Sequence, residues 1–484
     1  MSPKTQANLI RLALLPLTAI LLVASGCGSS AMSTATQSGG GPVFVVGTDA
    51  PSSIPSIVGV PMQIETIVLT NGSTMSNNLL AAATTVDFAR YDGLQGFVDM
   101  NDVQPGTYTG VTITLGTASI NYLSPGTPPT INNETATLST SSVSIPLPHS
   151  LTVSQTGGVP VGLRIDLDLR QSIETSGGVP TGTIDPTFDV SAVARTDTWA
   201  HIDEFIGSVT TPPSSATATS FVITGPHGEA FTINTTSSTE WDGGATESQL
   251  ISDGSNAVVA VAGQFDPADQ TLDADEIAII TDTGFYAGGL ITYVTPSSGQ
   301  ATNMQFYVRG VLPSGLSEVP LGGLADVSIT GNEKYGIYWM HNAFTNLLFN
   351  ADAMTPGQEI TLGGADPTAS PFDVKRIHLR NWGYIGTVVA GSESPGANAV
   401  GTNGSFTMKV TGFAGQVIPS NVTVYLGPQC DFRYGFGSFG DVTDSTTVRV
   451  VGILLKNQSN GNLVLLARHI DGFNSTDTTA AASQ

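Results

Sequence analysis

Cysteine is almost missing from this chain of 484 residues, which contains only Cys27 and Cys430. Cys27 directly follows an apolar run, in the stretch LLVASGCGSS at residues 21–30. If Cys27 is modified, Cys430 has no partner within the chain, so disulfides do not stabilise the fold. Hydrophobic cores must supply the stability. We interpret Cys430 as a buried thiol without a catalytic role, because only Arg433 offers it a basic neighbour.

Positive charge is also scarce, with 16 Lys and Arg residues against 39 Asp and Glu and a formal charge of −23. The basic residues are dispersed, whereas nucleic-acid binding needs Lys and Arg clusters that release counterions from phosphates. The sequence therefore predicts no nucleic-acid partner, and it argues against adsorption to anionic lipid. Cationic partners, metal ions and neutral ligands stay open.

Long apolar runs are absent after the first 26 residues, which read as a signal peptide. Lys4 and Arg11 give a basic start, and residues 12–24 form an apolar core too short to span a membrane. The end of this run, ASGC, resembles the lipobox of bacterial lipoproteins. The resemblance implies cleavage before Cys27, lipidation of its sulfur and attachment to a membrane. Gly28, in place of aspartate, implies the outer membrane. The alternative is an ordinary secretory signal with Cys27 as a bystander.

Cleavage there would change the formal charge from −23 to −25, because Lys4 and Arg11 leave and no acid does. Residues 27–41 are small, polar and glycine-rich, which predicts a flexible stalk. The rest of the chain is rich in Gly, Ser, Thr, Val and Ile, with only 11% charged residues and no long amphipathic pattern. This composition is typical of an exported all-β protein.

Residues 42–198 show short strands between turn residues, which predicts a β-sandwich. The stretch LRIDLDLRQSI at 163–173 alternates apolar and charged side chains. We predict that its charged set forms a solvated sheet face rather than a metal site, since arginines compensate the aspartates. That set is Arg164, Asp166, Asp168 and Arg170.

Three motifs in this region, GTDAP at 47–51, QPGTYTGV at 104–111 and LRIDLDLRQSI at 163–173, resemble an uncharacterised bacterial lipoprotein domain. The PGTY turn is also similar to that of transthyretin-like sandwiches. The resemblance implies a sandwich of transthyretin-like or immunoglobulin-like type and a cell-envelope location. It implies no catalytic residue.

The remainder of the chain repeats itself three times. FIGSV at 205–209, YAGGL at 286–290 and YIGTV at 384–388 open three units, 81 and 98 residues apart. Three further strand-like landmarks follow each opening in the same order, and one of them ends in Gly263, Gly364 or Gly452. Such glycines fit places where a strand bends sharply or another backbone comes close.

These units resemble a second uncharacterised bacterial domain, a tandem β-barrel-like module. The sequence thus predicts an all-β protein with a sandwich followed by three small OB-like barrels in a row. The predicted barrels span residues 203–282, 284–380 and 382–473, and residues 474–484 form a disordered tail.

One acidic stretch could hold calcium, since oxygen ligands are dense in FDPADQTLDADE. Its candidate ligands are Asp266, Asp269, Asp273 and Asp275. The stretch lacks the order of an EF-hand loop, and the other two units are poorer in acid at this place. A solvated hairpin tip is therefore the favoured interpretation, and a calcium site stays as the alternative.

Aromatic residues recur between the second and third landmarks of each unit, where OB-type barrels can present rings to sugars. If such a site exists, Tyr338 and Trp339 are the first candidates. The favoured alternative is that these rings are buried and close the barrel.

Signatures of catalysis are missing. Gly435, Gly437 and Gly440 match G-x-G-x-x-G, but a strand-like stretch follows where a dinucleotide site needs a helix. There is no G-x-S-x-G and no H-E-x-x-H motif, and no pair of carboxylates is singled out. The sequence predicts a non-enzymatic binding or display protein for a carbohydrate or a surface protein. A spacer rigidified by calcium and a hydrolase with an unrecognised carboxylate pair are the alternatives.

Overall fold

The computed structural model describes residues 40–49, 57–91, 93–155, 161–176, 179–194, 201–215, 217–225, 228, 230–242, 245–266, 269, 271–282, 285–313, 315–338, 347–366, 372–398, 403–411, 421–457 and 460–472. This part of the chain is almost entirely β-strand. Its helices are all too short, or too polar, to cross a membrane. The predicted all-β class, a sandwich followed by barrels, is confirmed.

In the described part of the chain, the N-terminal sandwich contains fourteen strands, a 3₁₀ turn (Phe88–Tyr91) and one α-helical turn, α1 (Leu169–Ser172). The strands are β1 (Gly41–Thr48), β2 (Ile57–Gly59), β3 (Pro61–Asn71), β4 (Thr74–Asn78), β5 (Thr84–Asp87), β6 (Gly96–Val103), β7 (Gly106–Ser124), β8 (Thr130–Thr135), β9 (Thr137–Leu138), β10 (Ser142–Val153), β11 (Val161–Leu167), β12 (Ile173–Ser176), β13 (Val179–Ile184) and β14 (Phe188–Ala194).

Two sheets of the sandwich face each other across one hydrophobic core. One has the order β14-β11-β1-β6, and the other has the spine β10-β7-β3-β4 with β2, β5 and β8 attached. Alternate residues of each strand point inward, as in β1 with Val43 and β7 with Val111, and these side chains are completely buried.

The prediction of a solvated charged face on β11 is wrong. Asp166 and Asp168 are both buried, and Arg164 donates to Asp166 at 2.7 Å (Nη2 to Oδ2). The strand ends at Leu167, and Asp168 instead caps α1 by accepting a hydrogen bond from the Gln171 backbone N–H. Alternation along one strand shows which side chains share a face, but not what covers that face.

The three repeats contain the remaining seventeen strands. The first barrel has β15 (His201–Thr211), β16 (Ser220–Thr224), β17 (Ala230–Asn234), β18 (Glu240–Asp242), α2 (Glu247–Asp253), β19 (Val258–Asp266) and β20 (Thr271–Thr281). The second barrel has β21 (Tyr286–Thr295), β22 (Asn303–Leu312), β23 (Leu324–Ser328), β24 (Lys334–Ile337), β25 (Glu359–Asp366) and β26 (Phe372–Arg380). The third barrel has β27 (Trp382–Val388), β28 (Ser405–Val410), β29 (Asn421–Arg433), β30 (Thr447–Lys456) and β31 (Leu463–Gly472).

Each repeat closes through a ring of five strands. If only the strands of a ring are numbered along the chain, their order around the barrel is first, second, third, fifth, fourth. The rings are β15-β16-β17-β20-β19, β21-β22-β23-β26-β25 and β27-β28-β29-β31-β30. In every ring the third and fifth strands pair in parallel and the other pairs are antiparallel. This arrangement is a five-stranded Greek-key barrel of OB type.

The glycines that recur in the sequence lie where the fourth strand of each barrel shifts register. Shifts occur at Ala262/Gly263, Gly363/Gly364 and Val451/Gly452. At Gly452 a side-chain Cβ would lie 1.9 Å from the Leu466 carbonyl oxygen, so the neighbouring backbone passes too close for any other residue. Of the two alternatives predicted for these glycines, the close approach of another backbone is confirmed at Gly452.

The four modules do not stand in a simple row. Phe44 of the sandwich packs edge-on against Phe265 of the first barrel, with ring centroids 5.7 Å apart. Ile453 and Leu455 of the third barrel belong to the hydrophobic cluster of the second. The third barrel also reaches back to the sandwich, where Arg449 donates to the Asp49 carbonyl oxygen at 3.2 Å. Shared cores and return contacts therefore make a compact body.

Candidate functional site

A cavity of about 630 Å³ lies where the sandwich, the first barrel and the second barrel meet. Its volume is within the range of roughly 300–1,000 Å³ that is typical of small-molecule sites, which often form at domain interfaces. Charged, hydroxyl and aromatic side chains all line it. Its charged and tyrosine side chains include Asp87, Arg90, Glu204, Tyr286, Tyr307 and Arg309.

The sandwich contributes Asp87 and Arg90, at the end of β5 and in the 3₁₀ turn Phe88–Tyr91 that follows it. The Asp87 carboxylate accepts a hydrogen bond from the Val60 backbone N–H at 2.7 Å (Oδ1 to N). This contact ties the end of β5 to the segment between β2 and β3 and so positions the Asp87 carboxylate.

Glu204, on β15 of the first barrel, joins three modules through a single oxygen. Its Oε2 accepts from Arg90 of the sandwich at 3.0 Å and also from Arg380 of the second barrel. The Glu204 side chain is 7% exposed. A buried carboxylate is stable only with such compensation, so this ion pair network ties the junction together.

Arg309, on β22, is held from three sides. Its Nη2 donates to the Val58 carbonyl oxygen at 2.7 Å, and its Nη1 lies 3.5 Å from Glu359 Oε2. The guanidinium also stacks on the Trp382 ring of the third barrel, 3.6 Å from the centroid. The arginine therefore contacts the sandwich and the third barrel while it remains in the cavity wall.

Two tyrosines of the second barrel complete this wall. The Tyr307 hydroxyl accepts a hydrogen bond from Asn121 Nδ2 of the sandwich at 2.7 Å. The Tyr286 ring lies over Gly288, where an added Cβ would be 2.3 Å from the tyrosine oxygen. The YAGG motif thus makes room for a buried aromatic ring beside the cavity.

Three buried polar atoms of the lining residues have no hydrogen-bond partner among the described residues. They are the Tyr286 hydroxyl, Glu204 Oε1 and Arg309 Nε. Buried polar groups are hydrogen-bonded in the great majority of cases, to protein, water or a ligand. Each of the three atoms exposes less than 1 Å² of surface, so none of them faces the open space of the cavity.

Burial dominates the protonation of groups around the cavity. It raises the pKa of Glu359 to about 7, although Arg309 and Arg90 act in the opposite direction. Burial also raises the pKa of Asp87, against the same two arginines. Burial raises the pKa of Tyr286 to about 12, so its hydroxyl keeps its proton at neutral pH and can donate it in a hydrogen bond.

The raised pKa of Glu359 predicts a pH dependence of stability. Between its ordinary value of 4.5 and the folded value of about 7, the folded state retains a proton that the unfolded state releases. The free energy of unfolding should therefore fall as the pH rises through this window, by up to about 1.4 kcal/mol per pH unit, and then level off. Urea unfolding of the wild type and Glu359→Gln across pH 4.5–8 measures this. Parallel curves for the two proteins would contradict the prediction.

The residues singled out from the sequence lie elsewhere. Tyr338 is 3% exposed and packs in a hydrophobic cluster with Ile206 and Tyr286, so it is a core residue between two barrels. It is not an exposed platform for a sugar. Trp339 and the lipidation candidate Cys27 lie outside the described residues.

The four acids of the calcium hypothesis do not converge. Asp273 accepts from Asn234 Nδ2 at 2.8 Å, and Asp275 pairs with His201 Nε2 at 3.2 Å. Asp266 ends β19 and Asp269 is exposed beyond it. Among the described residues no group of three or more His, Cys, Asp or Glu side chains could hold a metal ion.

Cys430 is half-buried on β29 and packs against the core of the third barrel. Burial, with Asp431 and Asp471 nearby, raises the pKa of its thiol to about 12. A protonated thiol is a poor nucleophile, which agrees with the prediction of an unreactive cysteine.

Sequence reasoning missed the residues of the cavity. Arg309 and Tyr286 occur in two of the recurring landmarks, MQFYVRG and YAGGL, but the shared strand pattern of these landmarks does not single out either residue. Arg309 alternates with the core residues Phe306 and Val308, so the strand pattern alone does not distinguish it from a solvent-exposed charge. Its partners come from segments far apart in the sequence, so no local pattern connects them.

Comparisons with known proteins add little to this picture. No family model matches the chain, and no curated protein matches it. A solved structure, "drosophila Unr CSD456", matches with 11% identity over 56% of this chain and 98% of that chain, at a TM-score of 0.12. A likeness of this size supports no argument.

Proposed function

We propose that this protein is a non-enzymatic binding protein of the cell envelope, anchored in the outer membrane by lipid on Cys27. Its ligand is a carbohydrate that binds in the cavity at the junction of the sandwich and the first two barrels. The cavity itself is the observation that supports the proposal, since residues of three modules line it and they include both rings and polar groups.

The compact arrangement favours binding over a spacer. A spacer gains length when each module contacts only its neighbours along the chain. Here the sandwich contacts the first barrel through Phe44, the second through Asn121 and the third through Asp49. Such packing shortens the molecule and creates the recess between modules.

The size of the cavity favours a carbohydrate over a surface protein. A volume of about 630 Å³ accommodates a molecule of one or two sugar rings but not a folded partner. The carboxylates in its wall are already engaged, Asp87 by a backbone N–H and Glu204 by two arginines.

The experiment is calorimetric titration of the purified full chain, in detergent, with a panel of mono- and disaccharides. We expect saturable binding at one site. Ser119→Trp, which places a large side chain in the cavity wall, should abolish that binding. Thr117→Trp, two residues earlier on β7 and outside the cavity lining, is the matched control and should bind normally. Binding that survives Ser119→Trp would place the ligand elsewhere. Mass spectrometry of the N-terminal residue of the native protein tests the lipid anchor separately.

A further inference from the structure

We infer that the cavity binds a 6-deoxy sugar, a carbohydrate with a methyl group beside its hydroxyl groups, and that Ser119, Asn133 and Leu321 contact it. This inference rests on the proposed function and names the class of carbohydrate. Two observations support it: a pair of reachable neutral polar side chains on the sandwich, and an exposed leucine that a tight turn holds next to them.

The polar contacts come from the outer face of β7 and β8 in the sandwich. Asn121 and Asn133 are register partners on these two strands, and Ser119 lies two residues before Asn121, so all three side chains share one face. That face is turned towards the second barrel, because Asn121 donates to the Tyr307 hydroxyl across the junction. Ser119 and Asn133 line the cavity on either side of this bond.

These two side chains are open to a ligand. Ser119 is half-buried and Asn133 is exposed, and within the described part of the chain neither side chain forms a hydrogen bond. The serine hydroxyl donates and accepts, and the asparagine amide supplies two donors and a carbonyl acceptor. Diagonal neighbours on paired strands lie about 7 Å apart, so the hydroxyl groups of one sugar ring can contact both.

Leu321 of the second barrel supplies the apolar contact. It lines the same cavity, yet 66% of its surface is exposed. It follows Pro320 in a tight turn, in which the Gly323 N–H donates to the Pro320 carbonyl oxygen at 2.9 Å and Gly322 has a φ of +75°. This is a type II turn, whose third position favours glycine. The sequence PLGG therefore places the leucine side chain at the outer corner of the turn.

The turn is fixed on both sides, so Leu321 is held next to the polar face. Val319 before it is completely buried, and the Gly322 N–H donates to the Val308 carbonyl oxygen at 2.8 Å. A Cβ added to Gly322 would lie 3.2 Å from Asn121 Nδ2, so the turn packs directly against β7. A ligand that reaches the polar groups of β7 and β8 therefore also meets the leucine.

A 6-deoxy sugar satisfies both kinds of contact. Its ring hydroxyl groups bond to Ser119 and Asn133, and its methyl group covers Leu321, which removes apolar surface from water. A purely apolar ligand would displace water from the two polar side chains without replacing the hydrogen bonds. A fully hydroxylated sugar would lose the water around its C6 hydroxyl against a leucine that cannot bond to it.

The test is calorimetric titration of the full chain with two matched pairs of sugars, D-fucose with D-galactose and L-rhamnose with L-mannose. The members of each pair differ only in the hydroxyl group at C6. We expect the 6-deoxy member of at least one pair to bind about fourfold more tightly than its parent, as expected for one carbon placed against a leucine. Leu321→Ser should abolish this preference. Asn133→Ala should weaken both members about fivefold and keep the preference, because it removes a hydrogen bond that both sugars make.

Leu348→Ser is the matched control. Leu348 lies between β24 and β25 of the same barrel, is 57% exposed and is not among the residues that line the cavity. This variant should keep both the affinity and the preference. Both leucine variants should keep the wild-type melting temperature, because the replaced side chains are exposed. If each parent sugar binds at least as tightly as its 6-deoxy partner, or if the preference survives Leu321→Ser, this inference is wrong and the proposed function stands. If no sugar binds, the proposed function fails with it.

Discussion

Replacing Asp471 with alanine is expected to lower the free energy of unfolding by about 4 kcal/mol. Asp471 is completely buried on β31, and its Oδ2 accepts a hydrogen bond from Arg449 Nε at 2.7 Å. The arginine is itself buried, with a side chain that is 4% exposed. The substitution leaves this guanidinium charged without its carboxylate, at the interface where the third barrel meets the sandwich. Urea unfolding followed by tryptophan fluorescence measures the change.

The control is Asp431→Ala in the same barrel. Asp431 lies 3.8 Å from Arg433, but the two side chains are 68% and 40% exposed. Solvent screens such a pair, so the loss should stay within about 0.5 kcal/mol. The double variant Arg449→Met with Asp471→Leu should recover most of the stability lost in Asp471→Ala, since it removes the charge as well as its partner. Equal effects of Asp471→Ala and Asp431→Ala would show that burial does not decide the outcome.

Gly452→Ala is expected to lower the free energy of unfolding by about 3 kcal/mol. The new Cβ would lie 1.9 Å from the Leu466 carbonyl oxygen and 2.8 Å from its carbon. Both are backbone atoms of the paired strand β31, so no side-chain rotation relieves the contact and the strands must separate at the register shift. The melting temperature of the variant, measured by circular dichroism, reports the effect.

Gly427→Ala is the matched control on β29 of the same barrel. No atom of the described residues lies within 4 Å of the Cβ that this substitution adds. We expect a change of at most about 0.5 kcal/mol. A wild-type melting temperature for Gly452→Ala would mean that the close approach of the two backbones is absent in solution.

The repeats show which strands of a barrel a sequence pattern can predict and which it cannot. Four landmarks in each unit correspond to the first, second, fourth and fifth strands of a barrel, for example β15, β16, β19 and β20. The third strand, β17 in the first barrel, was not among them. It closes the ring by parallel pairing with the fifth strand, and a pairing between distant segments leaves no periodic signal in either one.

The aromatic candidates show the complementary limit. Tyr338 belongs to an aromatic-rich stretch that is compatible with either an exposed platform or a core. The structure buries it, because the first and second barrels pack together around Ile206, Ile280 and Tyr286. The hydrophobicity of the stretch is the same whether its rings form an exposed platform or part of a core. Only the packing of the neighbouring module determines which of the two occurs.

The sequence by itself determined the all-β class, the threefold repeat and the positions of the recurring glycines, because strand alternation, turn residues and repeated motifs are properties of the chain itself. Tertiary structure alone decided which charged faces are covered, how the fourth module returns to the first, and where the cavity lies. Its wall combines Arg90, Glu204 and Arg309, which are more than a hundred residues apart from one another. The charges of these side chains compensate one another or other buried charges only where the groups lie close in space. Those distances are fixed only when the four modules pack into one body.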